Sequence, residues 1–133
     1  MSINLRKAAT LQEQIRQTIS DINLDSVPNG ELPDRLNRVE ELESVLFSLR
    51  DKVGKANVES GVSTLLTKRV QLNTLISRYE KLVRNGHEEY KSKLSDFRRE
   101  RVTISEQILE LNVSSMVNLT ETDMNVLAKE EIV

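Results

Sequence analysis

The sequence predicts an all-α protein: an antiparallel bundle of about four long amphipathic helices, followed by a short C-terminal helix or a flexible tail. Apolar residues recur at intervals of three and four over most of the 133 residues, which is the period of one helix face. Four glycines and two prolines are too few for the turns of a many-stranded β fold. The only aromatic residues are two Tyr and two Phe, so the core must be built from Leu, Ile and Val.

The first two helices are predicted over about residues 3–24 and from Asp34 to about residue 56. A loop separates them at 25–33, where DSVPNGELP collects both prolines and an Asn-Gly pair. Asp34 is predicted to cap the second helix, which should lie antiparallel to the first. The two apolar stripes are Leu5, Ala8, Leu11, Ile15, Ile19 and Ile22, and then Leu36, Val39, Leu42, Leu46, Leu49, Val53 and Ala56.

A third helix is predicted over about 64–84. The stretch NVESGVS at 57–63 interrupts the apolar period before it, with Gly61 as a hinge and Ser63 or Thr64 as the next cap. The helix ends at Asn85-Gly86, because both residue types adopt the left-handed conformation that closes helices.

The fourth helix is predicted over about 88–112, and a less regular segment follows it. We expect that segment to form a short helix capped at Thr120 or Thr122, with Val126 and Leu127 as anchors, or to be ordered only by a partner. The predicted domains are therefore a bundle at 1–112 and a tail at 113–133.

Arg101 interrupts the apolar stripe of the fourth helix, which otherwise consists of Tyr90, Leu94, Phe97, Ile104, Ile108 and Leu111. A charge that faces the interior is costly unless it is paired. Three explanations stay open. Arg101 extends to solvent at the edge of the stripe while Val102 takes the core position, it pairs with a carboxylate of a neighbouring helix or subunit, or it binds a ligand phosphate.

Four stretches of the chain carry a family resemblance. They read NLRKAATLQEQIRQTISDI, RLNRVEELESVLFSLRDKVGKANVESG, TLLTKRVQLNTLISRYEKL and KLSDFRRERVTISEQILELN. Together, over about residues 4–112, they resemble a family of small bacterial and phage-borne helical proteins that are sometimes labelled septicolysin-like. The resemblance implies a helical bundle and no particular activity. Where family members have Trp after the Glu-Leu-Asn ending, this chain has Val113.

The charge pattern does not favour nucleic acid or membranes as partners. The 19 basic and 21 acidic residues are interspersed, so no broad attraction to a polyanion or an anionic bilayer is expected. No apolar run approaches the roughly 18 residues of a membrane span, and the N-terminus lacks a signal-peptide pattern. The absence of cysteine fits a reducing compartment, and we expect a cytoplasmic protein.

Enzyme activity is not expected from the residues present. His87 is the only histidine, and it follows Asn85-Gly86, which indicates a turn or cap residue. The acidic pairs are adjacent in sequence and point in different directions on a helix. Phosphate-binding glycine motifs and nucleophile motifs are missing. We therefore predict no catalytic residue, no metal and no cofactor.

One group of residues suggests a ligand site. Ser63 and Thr64 begin a helix whose first turns carry Lys68 and Arg69, and free N–H groups at a helix start suit an anion. With basic residues of the fourth helix, they would form a polar pocket that recognises phosphate by bidentate contacts. The simpler alternative is capping and solvated charge. The candidate residues are Asn57, Ser63, Thr64, Lys68, Arg69, Tyr79, Arg98 and Arg101.

Two functions follow from this pattern. The first is a non-enzymatic helical interaction module that self-associates as a homo-oligomer and binds another protein, because a thin bundle with few aromatics exposes apolar edges when it is alone. The alternative is a small-ligand binding protein, a sponge that sequesters an anionic metabolite or nucleotide signal at the candidate site. Both use the same fold, so the fold does not separate them.

Overall fold

Five α-helices account for most of the chain in the computed structural model, which describes residues 1–133. The fold class predicted from the sequence, all-α with four long helices and a short C-terminal one, is confirmed. None of the helices combines the length and apolar character that a membrane crossing requires. In chain order the elements are β1 (Ser2–Asn4), α1 (Leu5–Asp21), α2 (Leu32–Ser60), α3 (Val62–Arg84), a 3-10 turn (Glu88–Tyr90), α4 (Lys91–Ser114), β2 (Met116–Asn118) and α5 (Glu121–Lys129).

The chain divides into two compact units. The first unit contains residues 1–56 and 115–133, and the second contains residues 57–114. This division differs from the one predicted from the sequence, 1–112 and 113–133, because the C-terminal segment packs with the N-terminal residues. Both units are helical, and each has its own apolar cluster.

The first unit is built around α1, the first part of α2 and the two ends of the chain. β1 and β2 pair antiparallel, with Ile3 opposite Val117. Both side chains are buried in the same cluster as the inner faces of α1 and α2. The buried members of this cluster are Ile3, Leu5, Ala8, Leu11, Ile15, Leu42, Val45, Leu46, Leu49, Val117, Leu119 and Leu127.

The N-terminal boundaries of α1 and α2 differ from the predictions for physical reasons. α1 begins at Leu5 rather than near residue 3, because the Asn4 side chain accepts a hydrogen bond of 2.8 Å from the Lys7 N–H and caps the helix. Residues 2–4 are free to form β1. α2 begins at Leu32, so Asp34 lies in the first turn and is not the cap, where its charge favours the helix dipole.

A capping box stabilises the start of α5, and one buried leucine and one ion pair hold the C-terminal segment to the rest of the first unit. Thr120 and Asp123 form a reciprocal capping box at the start of the helix, which agrees with one of the two predicted caps. Leu127 is fully buried. Beyond the helix, both oxygens of Glu130 accept hydrogen bonds from the Arg38 guanidinium, at 2.9 and 2.8 Å. These hydrogen bonds and the charge of Arg38 lower the pKa of the Glu130 carboxyl.

The second unit is an antiparallel helical hairpin made of α3 and α4. Leu72 and Ile104 belong to one cluster near the middle of the two helices, and Tyr79 contacts Phe97 nearer the turn. The turn uses Gly86 with φ of 96°, a conformation that glycine adopts without strain. The core cluster is thin: Leu72, Ile104 and Ile108 are buried, and Leu65, Leu66 and Phe97 pack against them.

The junction before α3 differs in part from the prediction. α2 does not end near residue 56 but continues through Asn57 to Ser60. Gly61 alone separates α2 from α3, with φ of 86°, in the left-handed region that favours glycine. Ser63 and Thr64 do not cap α3, because Gly61 occupies the cap position and both residues lie in the first turn.

Replacing Leu127 tests the packing of α5. We expect Leu127→Ala to lower the free energy of unfolding by about 2–4 kcal/mol, because the change leaves a cavity in the core of the first unit. Urea denaturation followed by circular dichroism measures the loss. The exposed Leu32 supplies the control, since Leu32→Ala should change the stability by less than about 1 kcal/mol. Equal losses for the two variants would contradict the packing described here.

The Arg38–Glu130 pair predicts a pH dependence. The pKa of Glu130 is lowered from its ordinary value of 4.5 in the folded chain, so its contribution to stability is present above that pH and is lost as the pH falls through the folded-state pKa. We expect Glu130→Gln to cost about 1 kcal/mol at neutral pH, since Arg38 is half exposed. The cost should vanish at low pH. Urea midpoints measured across the acid range test this, and a cost independent of pH would contradict it.

Candidate functional site

Arg101 lies at the interface of α3 and α4 and is half-buried. Its Nη1 donates a hydrogen bond of 3.1 Å to Oδ1 of Asn73 on α3. Val102 is 56% exposed, so the explanation in which Val102 takes the core position is wrong. The side-chain partner of Arg101 is a neutral amide rather than the carboxylate that a buried ion pair would need. The hydrogen bond from Arg101 to Asn73 explains how a charged residue is accommodated in the apolar stripe of α4.

Two other basic candidates have acidic partners across the hairpin. Arg98 on α4 forms an ion pair of 3.0 Å with Glu80 on α3, and Lys68 on α3 forms one of 3.2 Å with Glu100 on α4. All four side chains are well exposed, so each pair adds little stability. Each pair nevertheless neutralises charge that the predicted site would use to hold an anion.

Tyr79 belongs to an aromatic cluster that closes the turn end of the hairpin. Its ring meets those of Tyr90 and Phe97 edge to face, with centroids 5.5 and 5.3 Å away, the arrangement that aromatic pairs prefer. The Lys93 ammonium lies 5.2 Å from the Tyr79 ring centroid, within the range of a cation–π contact. Three of the four aromatic residues of the chain therefore stabilise this end of the hairpin.

The predicted ligand residues are distributed along the hairpin and do not meet in one pocket. Ser63 and Thr64 lie at the start of α3, next to Asn57 at the end of α2. Tyr79 is sixteen residues after Ser63, which is roughly 24 Å along a helix at about 1.5 Å per residue. Arg69 takes part in no ion pair and lies between these ends. A small ligand does not span this distance.

A groove near the turn brings together basic residues that the sequence reasoning missed. Arg84 from the last turn of α3 and Lys91 from the first turn of α4 line it with Arg98 and Ser95. The groove is open, with a volume of about 580 Å³. Lys91 also pairs with Glu88 at 3.0 Å, and Arg98 with Glu80. The Asn85-Gly86 turn is the sequence feature that could have indicated this groove, because a tight turn places the residues that flank it side by side.

No group of three or more His, Asp and Glu side chains is placed to hold a metal ion. His87 is exposed, precedes the 3-10 turn, and has Nδ1 3.6 Å from Glu89. Its backbone N–H donates to the Leu82 carbonyl at 3.0 Å, which fits the predicted role as a turn residue. Buried side-chain polar atoms all have hydrogen-bond partners.

The outer surface of α4 carries an uncovered apolar stripe. Val102, Leu109 and Val113 are 56%, 55% and 48% exposed. Their spacing of seven and four places them on one face of the helix, opposite the face that buries Ile104 and Ile108. Ser105 and Glu106 lie between them on a shallow open surface.

No family model, curated protein or solved structure matches the chain. The resemblance to septicolysin-like proteins therefore stays a prediction. Function has to be inferred from the geometry of the two units.

The aromatic cluster predicts different effects for two substitutions of Tyr79. Tyr79→Ala should lower the free energy of unfolding by about 2 kcal/mol, because two edge-to-face contacts and the cation–π contact are lost. Tyr79→Phe should change it by less than about 0.5 kcal/mol, since the ring contacts remain. Urea denaturation compares the two. A large loss for Tyr79→Phe would indicate instead that the hydroxyl group matters.

Proposed function

We propose that this chain is a non-enzymatic helical interaction module that self-associates and binds another protein. The observation that carries the proposal is the apolar stripe on α4, made of Val102, Leu109 and Val113. Side chains of this size are normally covered when they recur at helical spacing. Singly exposed apolar residues need no explanation, whereas an aligned row of them marks an interaction surface.

The composition of the stripe favours a second copy as the occupant. Three aliphatic side chains in a row are chemically self-complementary, so the same stripe on two copies can meet across a two-fold axis. The heptad distance between Val102 and Leu109 is the repeat used where two helices pack along a seam. Glu106 lies on the same face, and its charge limits how tightly the copies bind.

Two further uncovered helix faces are available for protein contacts besides the stripe on α4. The first, which we name the Phe47 face, is on α2 and consists of Leu36, Glu40, Glu43 and Phe47. The second, the Val70 face, is on α3 and consists of Val70, Thr74, Ser77, Arg78 and Lys81. Phe47 is 56% exposed and Val70 is 64% exposed. An exposed aromatic residue in a chain with so few is a typical anchor for a protein interface.

The alternative function, sequestration of a small anionic ligand, has weaker support. Its predicted residues lie along the full length of α3, and Lys68 and Arg98 already face acidic side chains. The open groove with Arg84 and Lys91 is the best remaining place for an anion. It does not enclose a ligand in the way that binding sites for small molecules usually do.

Removing the apolar stripe tests self-association. The wild-type chain should form a dimer or larger species in light scattering at micromolar concentration, and Val102→Ser/Leu109→Ser should shift it towards the monomer, weakening association about tenfold or more through the loss of buried apolar area. Thr103→Ser/Gln107→Ser changes two exposed residues of the same helix and should leave the mass unchanged. A wild-type monomer at these concentrations would contradict the proposal.

A further inference from the structure

The two units carry opposite net charge. The first unit contains nine basic and thirteen acidic residues, and the second contains ten basic and eight acidic ones, which together make the chain's 19 and 21. Their formal net charges are therefore −4 and +2. Copies of this chain consequently offer each other an acidic surface and a basic one, and opposite charge steers association.

The Phe47 face carries two acidic side chains, Glu40 and Glu43, that form no ion pair. Glu40 and Glu43 lie seven and four residues before Phe47, on the same side of α2. The ion pairs formed by α2 involve other residues. The Arg50 guanidinium lies 5.8 Å from the Phe47 ring centroid. It contacts the ring and does not pair with the carboxylates of Glu40 and Glu43.

The Val70 face carries two basic side chains, Arg78 and Lys81, that form no ion pair. Arg78 and Lys81 lie four and seven residues after Thr74, and the ion pairs of α3 involve only Lys68 and Glu80. Thr74 and Ser77 are small, and beside the exposed Val70 they form a shallow open surface on the outside of α3. This surface can accept a large side chain next to its charges.

The spacing of the two faces matches. If the helices lie antiparallel with Phe47 against Thr74, then Glu43 comes opposite Arg78 and Glu40 opposite Lys81, because both intervals are four and seven residues. Residues at these intervals share one helix face. In this register Phe47 lies against Thr74, and Val70 comes opposite Asp51, one turn further along α2. Charged residues that flank an apolar seam set the partner and the orientation of packed helices.

We infer, on the basis of the interaction module proposed above, that the Phe47 face of one copy docks antiparallel on the Val70 face of a second copy. This contact is separate from the α4 stripe and joins two different surfaces. A contact between two different surfaces produces either a closed ring or an open filament, depending on the rotation that relates one copy to the next. Because its specificity is electrostatic, the contact weakens as salt is added.

Charge reversal on the full chain tests this contact. The background is Val102→Ser/Leu109→Ser, so that association through α4 does not contribute. In this background the chain should still associate weakly in sedimentation velocity, and the association should decrease from low to high salt. Glu40→Lys/Glu43→Lys and Arg78→Glu/Lys81→Glu should each weaken it about tenfold or more, since attraction becomes repulsion at two positions.

Mixing the two reversed variants identifies the partner. Each carries the face that complements the other, so the mixture should recover association that neither variant shows alone. Arg6→Glu/Lys7→Glu makes the same charge change as Arg78→Glu/Lys81→Glu at exposed residues outside both faces and should behave like the background. Circular dichroism confirms that every variant is folded.

Three outcomes would overturn the inference. Association unaffected by either reversal means that the two faces do not meet. Association that is lost in each reversed variant and is not recovered in the mixture means that the two faces do not pair between copies. Absence of any association in the background variant means that a different protein, or none, covers these faces. In the last case a dimer of the wild-type chain would still support the proposed function through α4.

Discussion

The first unit depends on the return of the C-terminal segment to the start of the chain. α1 and the first part of α2 each bury one apolar face, and two helices alone leave much of those faces in contact with water. β2 and α5 supply the missing cover through Val117, Leu119 and Leu127. The strand pair fixes the register, with Ile3 opposite Val117, and the buried side chains of both strands then point into the same core.

The hairpin is stabilised differently, by a thin apolar seam and an aromatic group at its turn. Leu72, Ile104 and Ile108 form the buried cluster of the seam, and Val62, Ile76 and Leu94 are the other buried apolar residues of the two helices. A contact such as that between Arg101 and Asn73 costs little where water is close, because neither group is fully desolvated. A thin core also leaves much of each helix surface uncovered, which makes the hairpin suited to binding other helices.

The two units differ in formal net charge, which is −4 for the first and +2 for the second. A chain of nearly balanced total charge would ordinarily have weak long-range fields. Here the first unit contains thirteen acidic and nine basic residues and the second eight acidic and ten basic ones, although the two kinds look interspersed when the chain is read from end to end.

The sequence by itself determined the helices and their apolar faces. The period of three and four identified α1 to α4 and most of their buried residues, although Val45 is buried outside the predicted stripe of α2 and Leu36 within it is exposed. Thr120 was among the expected caps of α5, because these features depend on neighbours one or two turns away. The sequence could not indicate β1 and β2, since three residues carry no period and pair only through contacts far apart in the chain. The placement of the tail in the first unit was likewise decided by packing.

For the candidate site, the sequence identified residue types but not their neighbours. It placed Arg101, Tyr79 and Lys68 on the correct helices, and only the tertiary structure determined that they contact Asn73, Phe97 and Glu100 respectively. Whether a basic residue is available for a ligand depends on the acid that the opposite helix brings to it. That pairing follows from the register of α3 against α4, which no local pattern in the chain encodes.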